Sequence, residues 1–400
     1  MPTKVAGATP YIYLASAATS ILGNAVASIV WPWMVLEKTG NPAAAGIVAT
    51  CITVPSLIFA FLGGHLVDTV GRKPMSIVSD IVSGLSIVFV ILADLLFGLS
   101  LGWFIALGIF GAVGDVPGMS ARSALIGDVV TEKMTLDRLS GINQTISSLG
   151  FLVGPAVAGV LLSTLAMSDV LWITAVCSFT AAVFTCFLPV GSAPAATKGE
   201  GLLESVSSWK RVLEAPSIRL IAIVSLASTV CVAPLISVLL PAHFQAIDRP
   251  GLLGITMSCY AVGQFVGGAF IAWRGTTRRR WVWVVATSFE IVGMAFFVAV
   301  QLNWTPIVGM ILAGIGGGLF GPLIMVLVTQ TVPNEIRGRA FSLFNAIGLF
   351  ASPIGLIIVT GLLQALDIYQ VCIVLSVAFL GVGTWGATRG WAVLPDRADS

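Results

Sequence analysis

Two carboxylic acids lie inside long apolar stretches of this sequence. Asp115 is well inside one apolar run, and Glu290 is near the middle of another. An ionisable side chain is costly in such surroundings, and such residues commonly mark proton relays or ion pathways. A carboxyl group can bind and release a proton, so Asp115 and Glu290 are both candidates for reversible proton binding.

The neighbours of Asp115 leave two interpretations open. Residues on both sides follow in steps of three and four, which places them on one helical face with Asp115: Gly108, Gly111, Gly118 and Arg122. Arg122 is two helical turns away, about 10 Å along the axis, and is too far for a direct ion pair. Asp115 therefore either binds a proton beside a water-filled cavity or forms a structural hydrogen bond across the glycine face.

Membrane-spanning helices must position these groups. The chain is 57% hydrophobic and 10% charged, against roughly 25% charged in an average soluble domain. Runs of about 18 or more apolar residues predict transmembrane helices, and these runs do not alternate in polarity as barrel strands do. Twelve spans are predicted, at about 11–36, 43–66, 75–97, 100–121, 140–165, 169–190, 217–241, 252–273, 281–301, 304–330, 340–365 and 368–388. The predicted fold class is all-α and integral to the membrane.

The distribution of lysine and arginine predicts the orientation of the spans. If the N-terminus is cytoplasmic, all of the 20 lysines and arginines except Lys38 and Arg249 fall on the inner side, in keeping with the positive-inside rule. We therefore expect a multi-pass protein of the cell inner or plasma membrane with both termini cytoplasmic. The net charge of +2 does not indicate a nucleic-acid partner. Asp80 and Asp94 lie nearer the ends of the third span, where an interfacial position is expected.

The middle of the chain divides it into two halves. Residues 191–200 read as a flexible linker, and residues 202–214 place Leu202, Val206, Trp209 and Leu213 on one stripe of an amphipathic helix, with a disordered hinge as the alternative. Gly150, Gly154 and Pro155 recur as Gly348, Ser352 and Pro353 about half the chain later. The predicted domains are a six-helix bundle at 1–190, a cytoplasmic linker with an amphipathic helix at 191–216, and a second six-helix bundle at 217–400.

The segment GGHLVDTVGRKP, at residues 63–74, concentrates charge between the second and third spans. Gly63 and Gly64 allow one helix to approach another closely. Gly71 permits a tight turn, and Pro74 suits the first turn of the next helix. A solvated turn that anchors the topology would explain the basic residues, but it would not explain Asp68 in an otherwise apolar approach.

Residues 64–73 resemble the signature loop of the major facilitator superfamily, G-x-L-a-D-r-x-G-r-k, and depart from it at Thr69, where a basic residue is usual. The resemblance extends over the twelve spans and the two halves. It implies a charge network of Asp68, Arg72 and an acid at the inner end of span 4, which matches Asp128. The latch residues implied are Gly64, Asp68, Gly71, Arg72, Lys73 and Asp128. They would hold the two halves in one state and release them in another, with topology anchoring as the alternative.

A glycine pattern in the fifth span is similar to the antiporter motif of the same superfamily. It comprises Gly141, Gly150, Gly154, Pro155 and Gly159, and the usual final Gly-Gly is Ala158-Gly159 here. The resemblance implies export rather than uptake, and generic close packing of small residues is the alternative. The segment VPNEIRGRAFSLFNAIG resembles the macrolide-efflux and multidrug branch, which also implies export.

Uncharged residues of the spans that the resemblance places around a central cavity are candidates for substrate contact. They are Asn24, Trp31, Gln264 and Phe320, and packing is the alternative for each. Gly316, Gly318 and Gly321 spell G-x-G-x-x-G, but they lie inside an apolar span, so we interpret them as packing glycines rather than a dinucleotide site. The sequence has no phosphate-binding loop of the G-x4-G-K-[ST] type, which makes ATP an improbable energy source.

The expected function is therefore secondary active transport rather than enzymatic catalysis. The resemblance implies proton antiport that exports small hydrophobic or amphiphilic compounds by alternating access, with no cofactor and the proton gradient as energy source. One alternative is a dedicated exporter of a native siderophore or lipid-like metabolite, and another is a non-transporting membrane sensor or scaffold. The expected partners are a small-molecule substrate and the lipid bilayer, and we expect a monomer.

Overall fold

In the computed structural model, helices are the only regular secondary structure of the described residues, which are 7–189, 209–210, 212–274, 278–332 and 337–394. In the first half the helices are α1 (Thr9–Thr39), α2 (Pro42–Val70), α3 (Arg72–Phe97), α4 (Leu101–Leu125), α5 (Leu136–Thr164) and α6 (Met167–Cys186). In the second half they are α7 (Pro216–Ala246), α8 (Pro250–Arg274), α9 (Arg279–Phe296), α10 (Thr305–Thr331), α11 (Arg337–Leu362) and α12 (Ile368–Val393). The all-helical prediction is confirmed.

Eleven helices among the described residues are long and apolar enough to cross a membrane. The twelfth predicted span, at 340–365, falls on α11, whose described apolar stretch is Ala346–Leu362. Helix α7 is one continuous helix that contains a π-helical turn at Leu235–Leu239. Proline lies inside seven of the helices, for example Pro117 in α4 and Pro155 in α5, which membrane helices tolerate because neighbouring groups satisfy the freed carbonyls.

The chain forms two compact units. The first comprises Met1–Lys198 with Asp248–Gly254, and the second comprises Gly199–Ile247 with Ile255–Ser400. In the first unit, α4 packs closely on α3 because small residues face each other. A Cβ atom at Gly111 would lie 2.8 Å from Ser86 Oγ, and one at Gly118 would overlap Ser79. The glycine face predicted around Asp115 is therefore a helix-packing surface.

In the second unit, α10 is held between α8 and α9 by its glycines. A Cβ at Gly316 would lie 2.6 Å from Glu290 Cγ in α9, whereas one at Gly318 would overlap the Gln264 backbone in α8. Backbone contact of this kind is available only to residues without a side chain. The interpretation of this glycine-rich stretch as close packing thus fits Gly316 and Gly318, whereas Gly321 faces open space.

Most of the predicted linker, including Leu202 and Val206, lies outside the described residues. Its last part packs on the second unit: Val212 is buried in a cluster with Ile218 and Val328, and Trp209 and Leu213 pack against that cluster. The two described members of the predicted apolar stripe, Trp209 and Leu213, therefore cover helix ends of the bundle.

Candidate functional site

Two residues of the predicted latch form an ion pair at one end of the first unit. Arg72 begins α3, and Asp128 lies in the 3-10 turn Ile126–Val129 that follows α4. The Arg72 Nη1 atom lies 2.9 Å from Asp128 Oδ1 and 3.0 Å from Oδ2. Both side chains are about one-third exposed, so water screens the pair in part. The structure brings these two residues together as the resemblance implied.

The backbone before α3 explains the glycine of this loop. Gly71 has φ 95° and directly precedes the helix, a conformation that is strained for residues with a Cβ. Lys73, two residues later, donates a hydrogen bond of 2.7 Å to the Leu188 carbonyl after α6. The side chain of Asp68 and the surroundings of Gly64 lie outside the description, so their part in the latch stays a prediction.

A second charged network lies deeper in the first unit and was not predicted. Asp80 is only 4% exposed, and its Oδ2 atom accepts a hydrogen bond of 2.5 Å from Arg122 Nη2. Ser20 donates to Asp80 Oδ1 at 3.3 Å, and Arg122 Nη1 donates to Ser16 Oγ at 2.6 Å. The network therefore joins α1, α3 and α4.

Asp80 was expected near one end of its span, but the sequence did not predict that α3 turns it into the bundle, away from solvent. A sequence signal for this exists in the buried polar stripe along one face of α3: Ser76, Ser79, Asp80, Ser83 and Ser86. This spacing of three and four marks a face turned toward protein rather than lipid. Asp94, by contrast, pairs with Lys38 at 2.7 Å in an exposed position, which fits its expected place.

Asp115 lies on α4 and is half-buried. The Ser83 hydroxyl of α3 is its hydrogen-bonding neighbour, and the charges of Asp80 and Arg122 act on it from one side. This arrangement corresponds to the structural alternative, a hydrogen bond across the glycine face. It leaves the proton-binding alternative open, because a hydroxyl can donate to a carboxylate or accept from a carboxylic acid.

Glu290 is a buried carboxyl group of the second unit with few hydrogen-bond partners among the described residues. It is 8% exposed, and its Oε1 atom accepts one long hydrogen bond of 3.5 Å from Ser228 of α7. Its Oε2 atom is buried without a hydrogen-bond partner among the described residues. No described lysine or arginine forms an ion pair with it.

The other groups around Glu290 are neutral. Cys231 of α7 and Tyr260 of α8 lie within the range of electrostatic interaction with Glu290. Gln264 of α8 hydrogen-bonds Tyr260. A buried carboxylate needs a cation, several donors or a proton. In this neutral, weakly donating environment, Glu290 remains a candidate for proton binding. Across the described residues no cluster of histidine, cysteine, aspartate and glutamate could hold a metal ion.

The glycines of the predicted antiporter motif pack α5 against other helices of the first unit. A Cβ at Gly150 would overlap Ile21, and one at Gly154 would overlap Ala25, both in α1. A Cβ at Gly159 would lie 2.8 Å from the Pro250 carbonyl oxygen, which belongs to the same unit. Pro155 lies inside α5. The local environment of Gly141 lies outside the description.

The candidates for substrate contact fall in different environments. Phe320 is 9% exposed and packs edge-to-face on Trp283, with ring centroids 5.0 Å apart, which favours packing. Trp31 packs edge-to-face on Phe104, with ring centroids 6.2 Å apart. Its buried Nε1 atom has no hydrogen-bond partner among the described residues. Asn24 is half-buried, and Gln264 is exposed and hydrogen-bonds Tyr260. The Trp31 Nε1 atom therefore remains a candidate donor for another molecule.

The fold is that of a multi-pass helical membrane protein with charged and polar groups enclosed in its helix bundles. The family model of the Major Facilitator Superfamily matches residues 13–249 and 235–398. The chain therefore belongs to this superfamily of transporters, and the resemblance inferred from its motifs is confirmed.

Relatives with known names agree with this assignment. The chain is 29% identical over 385 residues to the multidrug efflux pump Tap of Mycolicibacterium fortuitum, covering 93% of each chain. It is 23% identical to macrolide efflux protein A of Streptococcus pyogenes, covering 87% of each. Its fold matches the nucleoside transporter NupG with a TM-score of 0.71 at 13% identity, over 97% of this chain and 98% of that one.

Proposed function

We propose that this secondary transporter exports small hydrophobic or amphiphilic compounds in exchange for protons, by alternating access. The direction is supported by the relatives named as efflux pumps, which match nearly the whole chain. The antiporter-like glycines of α5 support the same direction.

The observation that carries the coupling is Glu290. A membrane-embedded carboxyl group with one unpartnered oxygen and no cation changes its hydrogen bonding when it gains or loses a proton. Ser228, which reaches it from α7, can donate to the carboxylate or accept from the acid. Protonation at Glu290 therefore alters a contact between α9 and α7, and this is how proton binding would bias the conformation of the second unit.

Asp115 is the second candidate for the coupling path. Its carboxyl faces Ser83 and is influenced by the Asp80–Arg122 pair, so its proton would be exchanged beside an existing charge network. Glu290 has no such network among the described residues. We assign Glu290 the larger effect on coupling for this reason.

The test is accumulation of a panel of fluorescent dyes and antibiotics in cells that lack their main pumps. Glu290→Gln, Asp115→Asn and wild type are compared at matched membrane abundance, with and without a protonophore. Asp94→Asn is the matched control, because it removes a carboxylate from an exposed pair.

The expected result is low accumulation with wild type and Asp94→Asn, abolished by the protonophore, and high accumulation with Glu290→Gln. Export that resists the protonophore would refute proton coupling. Export that survives both Glu290→Gln and Asp115→Asn would refute the assignment of these residues. No export of any compound would contradict the proposed substrate class.

A further inference from the structure

A cavity of about 470 Å³ opens on the second unit where α8 ends and α9 begins. Two guanidinium groups line it, those of Arg274 and Arg278, together with the apolar side chains of Phe270, Trp281 and Val285. Neither arginine forms an ion pair with any described residue. The cavity therefore combines two uncompensated positive charges with an apolar wall.

Tryptophan residues indicate the level of this cavity in a bilayer. Trp281 is 53% exposed and packs edge-to-face on Trp391, with ring centroids 5.2 Å apart. Arg274 lies over the ring of Trp273, which is 77% exposed, at 5.4 Å. Tryptophan concentrates at membrane–water interfaces, where its ring sits among lipid headgroups. We therefore expect the two arginines to lie near the depth of the lipid phosphates.

The apolar wall continues along the helices away from the arginines. Phe270, Val266 and Val262 precede Arg274 at intervals of four residues, so they form one stripe of α8, and each is exposed. Val285 and Val292 are exposed on α9. This stripe offers an acyl chain a path from the headgroup level toward the middle of the membrane.

We propose that this cavity binds an anionic phospholipid of the inner leaflet, with the phosphate between Arg274 and Arg278 and an acyl chain along the exposed stripe of α8. Guanidinium groups bind phosphate through paired, charge-assisted hydrogen bonds, and basic pockets between membrane helices on the cytoplasmic side bind anionic headgroups. A zwitterionic headgroup should bind more weakly, because its own positive group would lie near the two arginines of this site.

The test is native mass spectrometry of the full-length protein, purified in detergent and titrated with three probes. These are phosphatidylglycerol, phosphatidylcholine with the same chains, and glycerol 3-phosphate. We expect saturable binding of phosphatidylglycerol, with weaker binding of the other two. Equal affinity for phosphatidylcholine would overturn the proposal, and so would equal affinity for glycerol 3-phosphate, which would indicate an anion site without a lipid.

Variants then locate the binding. Arg274→Gln/Arg278→Gln should weaken phosphatidylglycerol binding by roughly tenfold or more, since each arginine near an anionic headgroup has a substantial effect. Arg138→Gln/Arg219→Gln removes the same charge from two exposed arginines outside the cavity, and should bind as wild type does. Equal losses in both double variants would mean that net charge alone attracts the lipid. Wild-type binding by Arg274→Gln/Arg278→Gln would place the lipid elsewhere, and neither result depends on whether export occurs.

Discussion

Arg122 and Asp80 form a buried ion pair that joins α4 to α3, with 2.5 Å between Arg122 Nη2 and Asp80 Oδ2. The pair is shielded from water, with 12% and 5% of the two side chains exposed. Removing one partner of such a pair leaves an uncompensated charge, whereas removing both leaves none. The pair also draws Ser16 and Ser20 of α1 into the same network.

We therefore expect Asp80→Asn to lower the free energy of unfolding by about 3 kcal/mol. Arg122→Gln should have a similar effect, and the double variant should lose less than the sum of the two. The measurement is the unfolding midpoint of purified protein in detergent. Asp94→Asn is the control, because its pair with Lys38 is exposed and should contribute no more than about 1 kcal/mol. Additive losses in the double variant would show that the two groups do not interact.

The Arg72–Asp128 pair allows a different test, because it is partly exposed and should contribute less to stability than the buried pair. We expect Asp128→Asn to slow transport while lowering the free energy of unfolding by no more than about 1 kcal/mol. The exchanged variant Arg72→Asp/Asp128→Arg should recover part of the transport rate lost in either single change. Dye efflux from cells at matched abundance measures the rate. Normal transport in Asp128→Asn would leave topology anchoring as the role of this pair.

Gly316 gives a way to disturb Glu290 without removing its carboxyl. The Cβ of Gly316→Ala would lie 2.6 Å from Glu290 Cγ and 2.8 Å from the Ala286 carbonyl oxygen, so the acid must shift. We expect dye efflux to fall severalfold. The control is Gly321→Ala in the same helix, which meets no atom within 4 Å and should transport normally. Equal dye efflux by the two variants would show that transport does not depend on the geometry around Glu290.

The repeated glycine–proline motif differs in packing between its two copies. A Cβ at Gly154 of α5 would overlap Ala25, which cannot move without its backbone, whereas one at Gly348 of α11 meets no atom within 4 Å. Gly154→Ala should therefore lower the free energy of unfolding by about 1–3 kcal/mol. Gly348→Ala should leave it unchanged or slightly higher. The measurement is the unfolding midpoint of the two purified variants relative to wild type. Equal shifts in both variants would contradict this prediction.

The sequence predicts the spans well, because a membrane helix can be recognised from the length and the apolar composition of its segment. The position of Gly71 before α3 was also predictable, since a tight turn between two helices favours glycine. The Arg72–Asp128 pair was anticipated only through a family resemblance, because 56 residues separate its members.

The Asp80–Arg122 pair shows what sequence reasoning misses. In the sequence, Arg122 shares a helical face with Asp115, and no spacing links it to Asp80. Its actual partner depends on the rotation of α3 against α4, which the serines and glycines at their contact determine. Phe320 is a similar case, since an aromatic ring in an apolar helix has the same sequence signature in a core and at a binding surface.

The glycine contacts of α10 have a consequence for how this transporter can diversify. At Gly314, Gly316 and Gly318 any side chain would meet the backbone of α8 or α9, or Glu290 itself. A saturation-mutagenesis map would show Gly314, Gly316 and Gly318 as intolerant positions in a helix without a single charged residue. New substrate preferences would then arise through changes at other positions, while these three glycines stay unchanged.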